Sequence, residues 1–185
     1  MFRSSGIPQN IKYNKKEAGK RAGFTVFELI VIMIVIAVIS IFVFISLNPY
    51  KGIRLNAAAQ KVAADLLYTR NLALSTAKWY GVSFEVDPIN TYGVYETDGT
   101  TDAYIENPAR LGENFILNLN NYYGGVKIGG VSIAGGKKVE FSPLGRPYDD
   151  RTGSALVAAG AITIEYAGLT KTVEIAPNTG RINVR

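Results

Sequence analysis

Ala22-Gly23-Phe24-Thr25-Val26-Phe27-Glu28, followed by the run Leu29 to Leu47, decides how this chain is read. A basic, polar leader ends at a glycine, and an apolar segment begins at once with one carboxylate near its start. From Leu29 to Leu47 nothing is charged, and only Ser40 and Ser46 are polar. As a helix rising about 1.5 Å per residue the run is roughly 28 Å long, against a bilayer hydrocarbon core of ~30 Å. The expectation is a membrane span.

Glu28 makes the segment unusual. A charged side chain inside a membrane segment costs roughly 2.5–3.5 kcal/mol even on lenient insertion scales, so it needs a partner or a role. If the chain were cut after Gly23, the new α-amine of Phe24 would lie one helical turn from Glu28 on the same face and could neutralise it. An uncut signal anchor with Glu28 near the headgroups satisfies the same spacing. On spacing alone both readings stand.

A secretory signal peptide is cleaved after its hydrophobic stretch, at a small-x-small site. Ser46-Leu47-Asn48-Pro49-Tyr50 offers none, so the apolar helix is expected to stay in the mature protein. With no cysteine there is no lipoprotein anchor and no disulfide, and the domain beyond the helix must rest on its core. The leader carries Arg3, Lys12, Lys15, Lys16, Lys20 and Arg21 against Glu17 alone. The positive-inside rule keeps such a leader cytoplasmic and sends the C-terminal domain across the membrane. Taking those six bases and one acid from totals of 20 and 15 leaves 14 of each. The overall basicity thus belongs to the leader and says nothing about a nucleic-acid partner.

The stretch from Gly23 to Ser40 resembles the type III signal of type IV prepilins and pseudopilins: a glycine, Phe-Thr, two hydrophobic residues, then Glu-Leu. That resemblance implies a membrane-embedded prepilin peptidase that cuts after Gly23 and methylates the amine of Phe24. It also implies that Glu28 is the carboxylate that helps place an incoming subunit in a growing filament.

Beyond the run, Asn48-Pro49 is expected to kink the helix or loosen a turn, since proline removes a backbone donor and crowds the preceding turn. Many pilins carry a proline slightly earlier in this segment. Helical periodicity resumes from Leu55 to Ala77, with Leu55, Ala59, Val62, Leu66, Ala73 and Ala77 on one stripe, widened by Ala63, Leu67 and Leu74. Gln60, Lys61, Asp65 and Lys78 fall on the opposite face. After Lys78 the pattern alternates between strands and turns. Trp79 to Val86 and Thr91 to Glu96 flank Asp87-Pro88-Ile89-Asn90 as a hairpin, and Ala161 to Tyr166 and Thr170 to Ile175 form a second around Ala167-Gly168-Leu169. Phe115 to Leu119, Val126 to Ile133, Lys138 to Phe141 and Arg181 to Val184 are further strands. The fold class expected is α+β: a long N-terminal helix packed on an antiparallel β domain. Its segments are a cytoplasmic leader (residues 1–23), the transmembrane half of the helix (24–49), its amphipathic half (50–78) and an extracytoplasmic β domain (79–185).

Three further segments, Ala63 to Leu74, Val139 to Arg146 and Thr179 to Val184, resemble in order the helix and two C-terminal strand motifs of the minor pseudopilin H family of type II secretion, also called FimT-like. Thr69 stands before Arg70 where the family has a small residue. The resemblance implies a minor filament subunit in a pseudopilus or type IV pilus, and a pilin-like fold. Its implied partners are the prepilin peptidase and N-methyltransferase, other pilins or pseudopilins, an inner-membrane assembly platform and membrane lipid. Its implied location is the bacterial cytoplasmic membrane, then a filament.

The chain has no histidine, which removes His-assisted serine or cysteine hydrolysis and His-based zinc sites. Asp149-Asp150 and the pair Asp98/Asp102 lie in polar turn contexts without the cleft an acid/base pair needs. No Walker or Rossmann loop appears; Gly124-Gly125 and Gly129-Gly130 read as turns. No catalytic residue, no cofactor and no metal site is expected, although the oxygens of Asp98 and Asp102 are of the kind that calcium takes. FimT-like relatives of type IV pili are linked to DNA uptake through basic C-terminal residues. The corresponding contacts here would be Lys137, Lys138, Arg146, Arg181 and Arg185. The spacing of Arg181 and Arg185 departs from the tighter Gly-Arg-x-Arg ending of those relatives.

Overall fold

The computed structural model describes residues 23–46 and 48–185. The leader residues 1–22, with the charges that set the expected topology, lie outside the described residues, as does Leu47. Two compact units divide between Val43 and Phe44.

The first unit holds most of helix α1, Val26–Ser46, 21 residues long with Glu28 in its first turn. Its described side chains, those of residues 26–40, are almost all exposed apolar groups. Over the residues so described, no helix is long and apolar enough to cross a membrane. The backbone helix itself continues to Ser46.

The second unit, from Phe44 on, holds the end of α1 and then α2, Asn48–Thr76. Pro49 lies in its first turn, where a missing N–H interrupts no intrahelical bond. The strands that follow are β1 Trp79–Glu85, β2 Thr91–Thr97, β3 Asp102–Tyr104, β4 Glu106–Asn107, β5 Arg110–Asn114 and β6 Ile116–Asn118. After the short helix α3, Leu119–Tyr123, come β7 Lys127–Ser132, β8 Lys138–Phe141, β9 Pro147–Tyr148, β10 Gly160–Tyr166, β11 Leu169–Ile175 and β12 Ile182–Val184. One antiparallel sheet runs β3-β2-β1-β8-β9, with β6 also on β2; a second runs β12-β11-β10-β7; β4 and β5 form a separate ribbon. Both expected hairpins are present, Val82 opposite Val94 in the first and Ile162 opposite Val173 in the second. The expected strand from Phe115 ends at Asn118, whose side chain accepts from the Asn121 amide and starts α3 instead.

Helix α2 packs on both sheets, meeting β1 and β8 of one and β10, β11 and β12 of the other. The predicted stripe is correct at Leu55, Ala59, Val62, Leu66 and Ala73, all buried. It is too wide at Leu67 and Leu74, which remain exposed, and Ala77 lies past the helix end in the left-handed region. Asp65, expected on the solvent face, is only 5% exposed. Its carboxylate accepts from the buried Tyr92 hydroxyl and from Lys61 Nζ at 2.6 Å, so burial leaves it paired rather than stranded.

Two arginines fasten α2 along its length. Arg54 donates to the Gly124 carbonyl at 3.1 Å and the Tyr166 hydroxyl at 3.0 Å, with its guanidinium over the Tyr166 ring. Arg70 donates from Nε to the Gly145 carbonyl at 3.2 Å. The two sheets are tied by the β1–β2 turn, where Asn90 Oδ1 accepts from the Ile128 amide of β7 at 2.9 Å.

Candidate functional site

Gly23, Phe24 and Thr25 precede the first helical residue, Val26. A Cβ at Gly23 would meet nothing within 4 Å, and Phe24 is exposed. Thr25 is the helix cap: its hydroxyl accepts from the Glu28 amide at 3.2 Å, and its carbonyl from the Leu29 amide at 3.1 Å. Phe24 precedes the first helical residue and so shares no helical face with Glu28. Thr25-x-x-Glu28 is a capping-box spacing, a signal present in the sequence that the assembly reading passed over. Glu28 in the first turn also faces the favourable end of the helix dipole.

Within the second unit, the three segments that resemble the family's motifs, residues 63–74, 139–146 and 179–184, meet. Gly145, at φ +73°, closes the turn after β8 by donating from its amide to the Ser142 carbonyl at 2.7 Å. Gly180, at φ +62°, closes the turn before β12 by donating to Ala176 at 3.0 Å. Both turns need a left-handed residue, and at Gly180 a side chain would also collide with the Gly145 carbonyl and crowd Arg70. Arg146 donates to the Asn178 side chain at 3.3 Å and Arg181 to the Asn183 side chain at 3.1 Å. Arg70, Arg146 and Arg181 thus gather at one corner. Sequence reasoning had missed Arg70 as a member, because nothing in a helical pattern tells which loop a half-buried arginine will reach.

The remaining basic residues of the proposed DNA face lie elsewhere. Lys137 and Lys138 stand at the far end of β8 from Arg146. Lys138 bridges Glu140 at 3.2 Å and Asp150, and Arg185 pairs with Glu174 at 3.1 Å. Burial opposes the charge on Lys138, but its bonds to Asp150 and Glu140 outweigh it and raise the ammonium's pKa. The structure brings Arg146 and Arg181 together and leaves Lys137, Lys138 and Arg185 outside that group.

The acidic turns are closed on themselves. Asp98 Oδ1 accepts from the Thr100 hydroxyl and from the Thr100 and Thr101 amides, which holds its carboxyl down to about 2. Asp150 accepts from Lys138 and from the Thr152 amide and hydroxyl, and is held well below the usual carboxylate range. A polar cavity of about 240 Å³ between these turns is lined by Asp102, Glu140 and Asp150, with the Lys138 ammonium among them. Among the described residues no cluster of acids suits a metal ion.

No protein-family model matches the chain, and no curated protein matches it in sequence. Its fold is similar to that of the minor pseudopilin EpsH from the type 2 secretion system of Vibrio cholerae, with a TM-score of 0.52 and 13% identity. That likeness covers 71% of this chain and 96% of the other. The type IV minor pilin FimU of Pseudomonas aeruginosa is similar over 70% of this chain and 91% of its own, at a TM-score of 0.46 and 16% identity. The fold is pilin-like: helix against antiparallel sheet in the arrangement of a minor pseudopilin.

Proposed function

We propose that this chain is a minor structural subunit of a type II secretion pseudopilus or a type IV pilus, and acts by assembly rather than catalysis. The observation that carries the reading is Glu28, alone among charges at the head of an uncharged run that extends to Leu47 and directly follows Gly23-Phe24. The pilin-like fold supports it. A prepilin peptidase removes residues 1–23 and methylates the Phe24 amine, and the subunit waits in the cytoplasmic membrane with its C-terminal domain outside. Helix α1, at 21 residues, has a backbone length of roughly 31 Å, which suits that anchor. The new amine compensates Glu28, and the pair enters a filament contacting the assembly platform and other subunits.

The test is to crosslink the protein in its native membrane, then identify its N-terminal peptide and neighbours by mass spectrometry. Methylated Phe24 with secretion pseudopilins attached supports the pseudopilus, and methylated Phe24 with pilins supports the type IV pilus. An intact Met1 without filament neighbours, in cells that contain the peptidase, overturns the reading.

A DNA-binding minor pilin is the second reading. It draws on Arg146 and Arg181, which have neutral hydrogen-bond partners, and is weakened by the separation of Lys137, Lys138 and Arg185 from them. A salt titration by fluorescence anisotropy tests it. A phosphate-binding face gives a slope of about −0.9 per phosphate neutralised, and no binding at low salt removes the reading.

A further inference from the structure

The corner where α2 meets the two glycine turns carries more than charge. Arg70, Arg146 and Arg181 each hold one neutral acceptor, the Gly145 carbonyl, Asn178 and Asn183 respectively. Among the described residues none of the three forms an ion pair, although seven such pairs occur elsewhere. A guanidinium has five donors, so one neutral bond orients each group and leaves most of its fork for an anion. Leu144, in the same turn as Gly145, is 79% exposed, and Leu74, one helical turn beyond Arg70, is 43% exposed. The Leu74 methyls lie 3.2–3.3 Å from where a Gly145 Cβ would be, so cations and leucines belong to one surface.

We infer that the corner of Arg70, Arg146, Arg181, Leu74 and Leu144 is a docking surface for a neighbouring filament protein, taking a segment that presents carboxylates and apolar side chains on one face. The inference rests on the filament reading and names the chemistry of one contact within it. Phosphates would engage the arginines and leave the leucines in water, whereas a carboxylate-bearing apolar segment engages both. Arginine is enriched at interface hot spots, and its bidentate pairing with a carboxylate is both strong and geometrically specific. An extended nucleic acid also needs a continuous basic track, and the lysines that would prolong this one sit at the far end of β8. The Gly145–Gly180 contact and the Arg70 bond fix the turns before any partner arrives, which lowers the ordering cost of docking.

The experiment uses the full-length protein in detergent micelles, with empty micelles as the blank. Three fluorescent probes are titrated: an octapeptide of Glu-Glu-Leu-Leu repeats, which in extended form carries both side chains on each face, one of Glu-Glu-Ser-Ser repeats, and a duplex DNA oligonucleotide. The Glu–Leu peptide is expected to bind best. Arg146→Gln with Arg181→Gln should weaken it about tenfold or more, a change of ~1.4 kcal/mol. Leu144→Ser should weaken the Glu–Leu peptide but leave the Glu–Ser peptide unchanged, and Lys137→Gln should alter neither. Trp79 fluorescence verifies that each variant is folded. Tighter binding of DNA, unaffected by Leu144→Ser, overturns the proposal in favour of a nucleic-acid site. Absence of peptide binding, or loss that does not follow the two arginines, also overturns it. Because these failures are read as binding to the isolated protein, they are distinct from a failure of filament incorporation, which is read in cells through the wild-type chain.

Discussion

A Cβ built on Gly180 would lie 2.6 Å from the carbonyl oxygen of Gly145, so the two turns touch backbone to backbone. Arg70 Nε would lie 3.1 Å from the same Cβ, closing the contact from the helix side. Gly180→Ala should therefore destabilise the chain twice over. The left-handed conformation alone costs a non-glycine residue roughly 1–2 kcal/mol, and the collision with a carbonyl has no flexible side chain to absorb it. Urea denaturation followed by Trp79 fluorescence should show a lower midpoint. An unchanged midpoint would mean that the turn is not held where it is described.

The bond between Tyr92 and Asp65 should be the strongest single polar tie between α2 and the six-stranded sheet. Both groups are buried and the acceptor is a carboxylate, a combination that typically contributes about 1.5–3 kcal/mol. A double-mutant cycle of Tyr92→Phe and Asp65→Asn should return a coupling of that order. Near-additive losses would show that Lys61 alone satisfies Asp65.

Stability should be flat from about pH 5 to pH 9, because the chain has neither histidine nor cysteine to titrate there. On the acid side Asp98, Asp150 and Glu96 have lowered pKa values, so the stability they confer is present above about pH 4 and is lost as pH falls through their folded values. On the alkaline side the phenols of Tyr92 and Tyr95 are raised, first by burial and then by Asp65 and Glu140. Their contribution is complete below about pH 10 and is lost above it, as the unfolded phenols ionise. Thermal melts across the range check both limbs. Asp150→Asn should shrink the acid limb, and a melt that changes steeply near pH 7 would contradict the scheme.

Glu28→Gln keeps the shape of the side chain and removes its charge. Leader removal at Gly23 should proceed, while incorporation into filaments should fall by roughly tenfold or more, as expected when a buried charge pair worth a few kcal/mol is lost. Immunoblots of sheared filaments against membranes measure the ratio. Wild-type incorporation would remove Glu28 from assembly.

Much of the architecture was legible because two periodicities change at Lys78. Leu55, Ala59, Val62 and Leu66 follow the helical spacing, and Ile162 and Ile164 alternate with polar neighbours as a half-buried strand should. The misses have a common cause in tertiary pairing. Asp65 reads as solvent-facing until Tyr92, 27 residues away in sequence, supplies a hydroxyl. Strands β3, β4, β5 and β9 are two to five residues long and largely exposed or turn-like, too short for alternation to register. The candidate docking corner was half visible. Its glycines and arginines stand in recognisable segments, but only the folded chain shows that Arg70 reaches Gly145, 75 residues away.

Arg54 and Arg70 are sixteen positions apart on α2, a span of roughly 24 Å, and they grip different sheets. A pull along the axis of that helix loads both attachments in shear at the same time, instead of peeling one sheet away before the other. The helix can then transmit traction to the whole β unit as a single body.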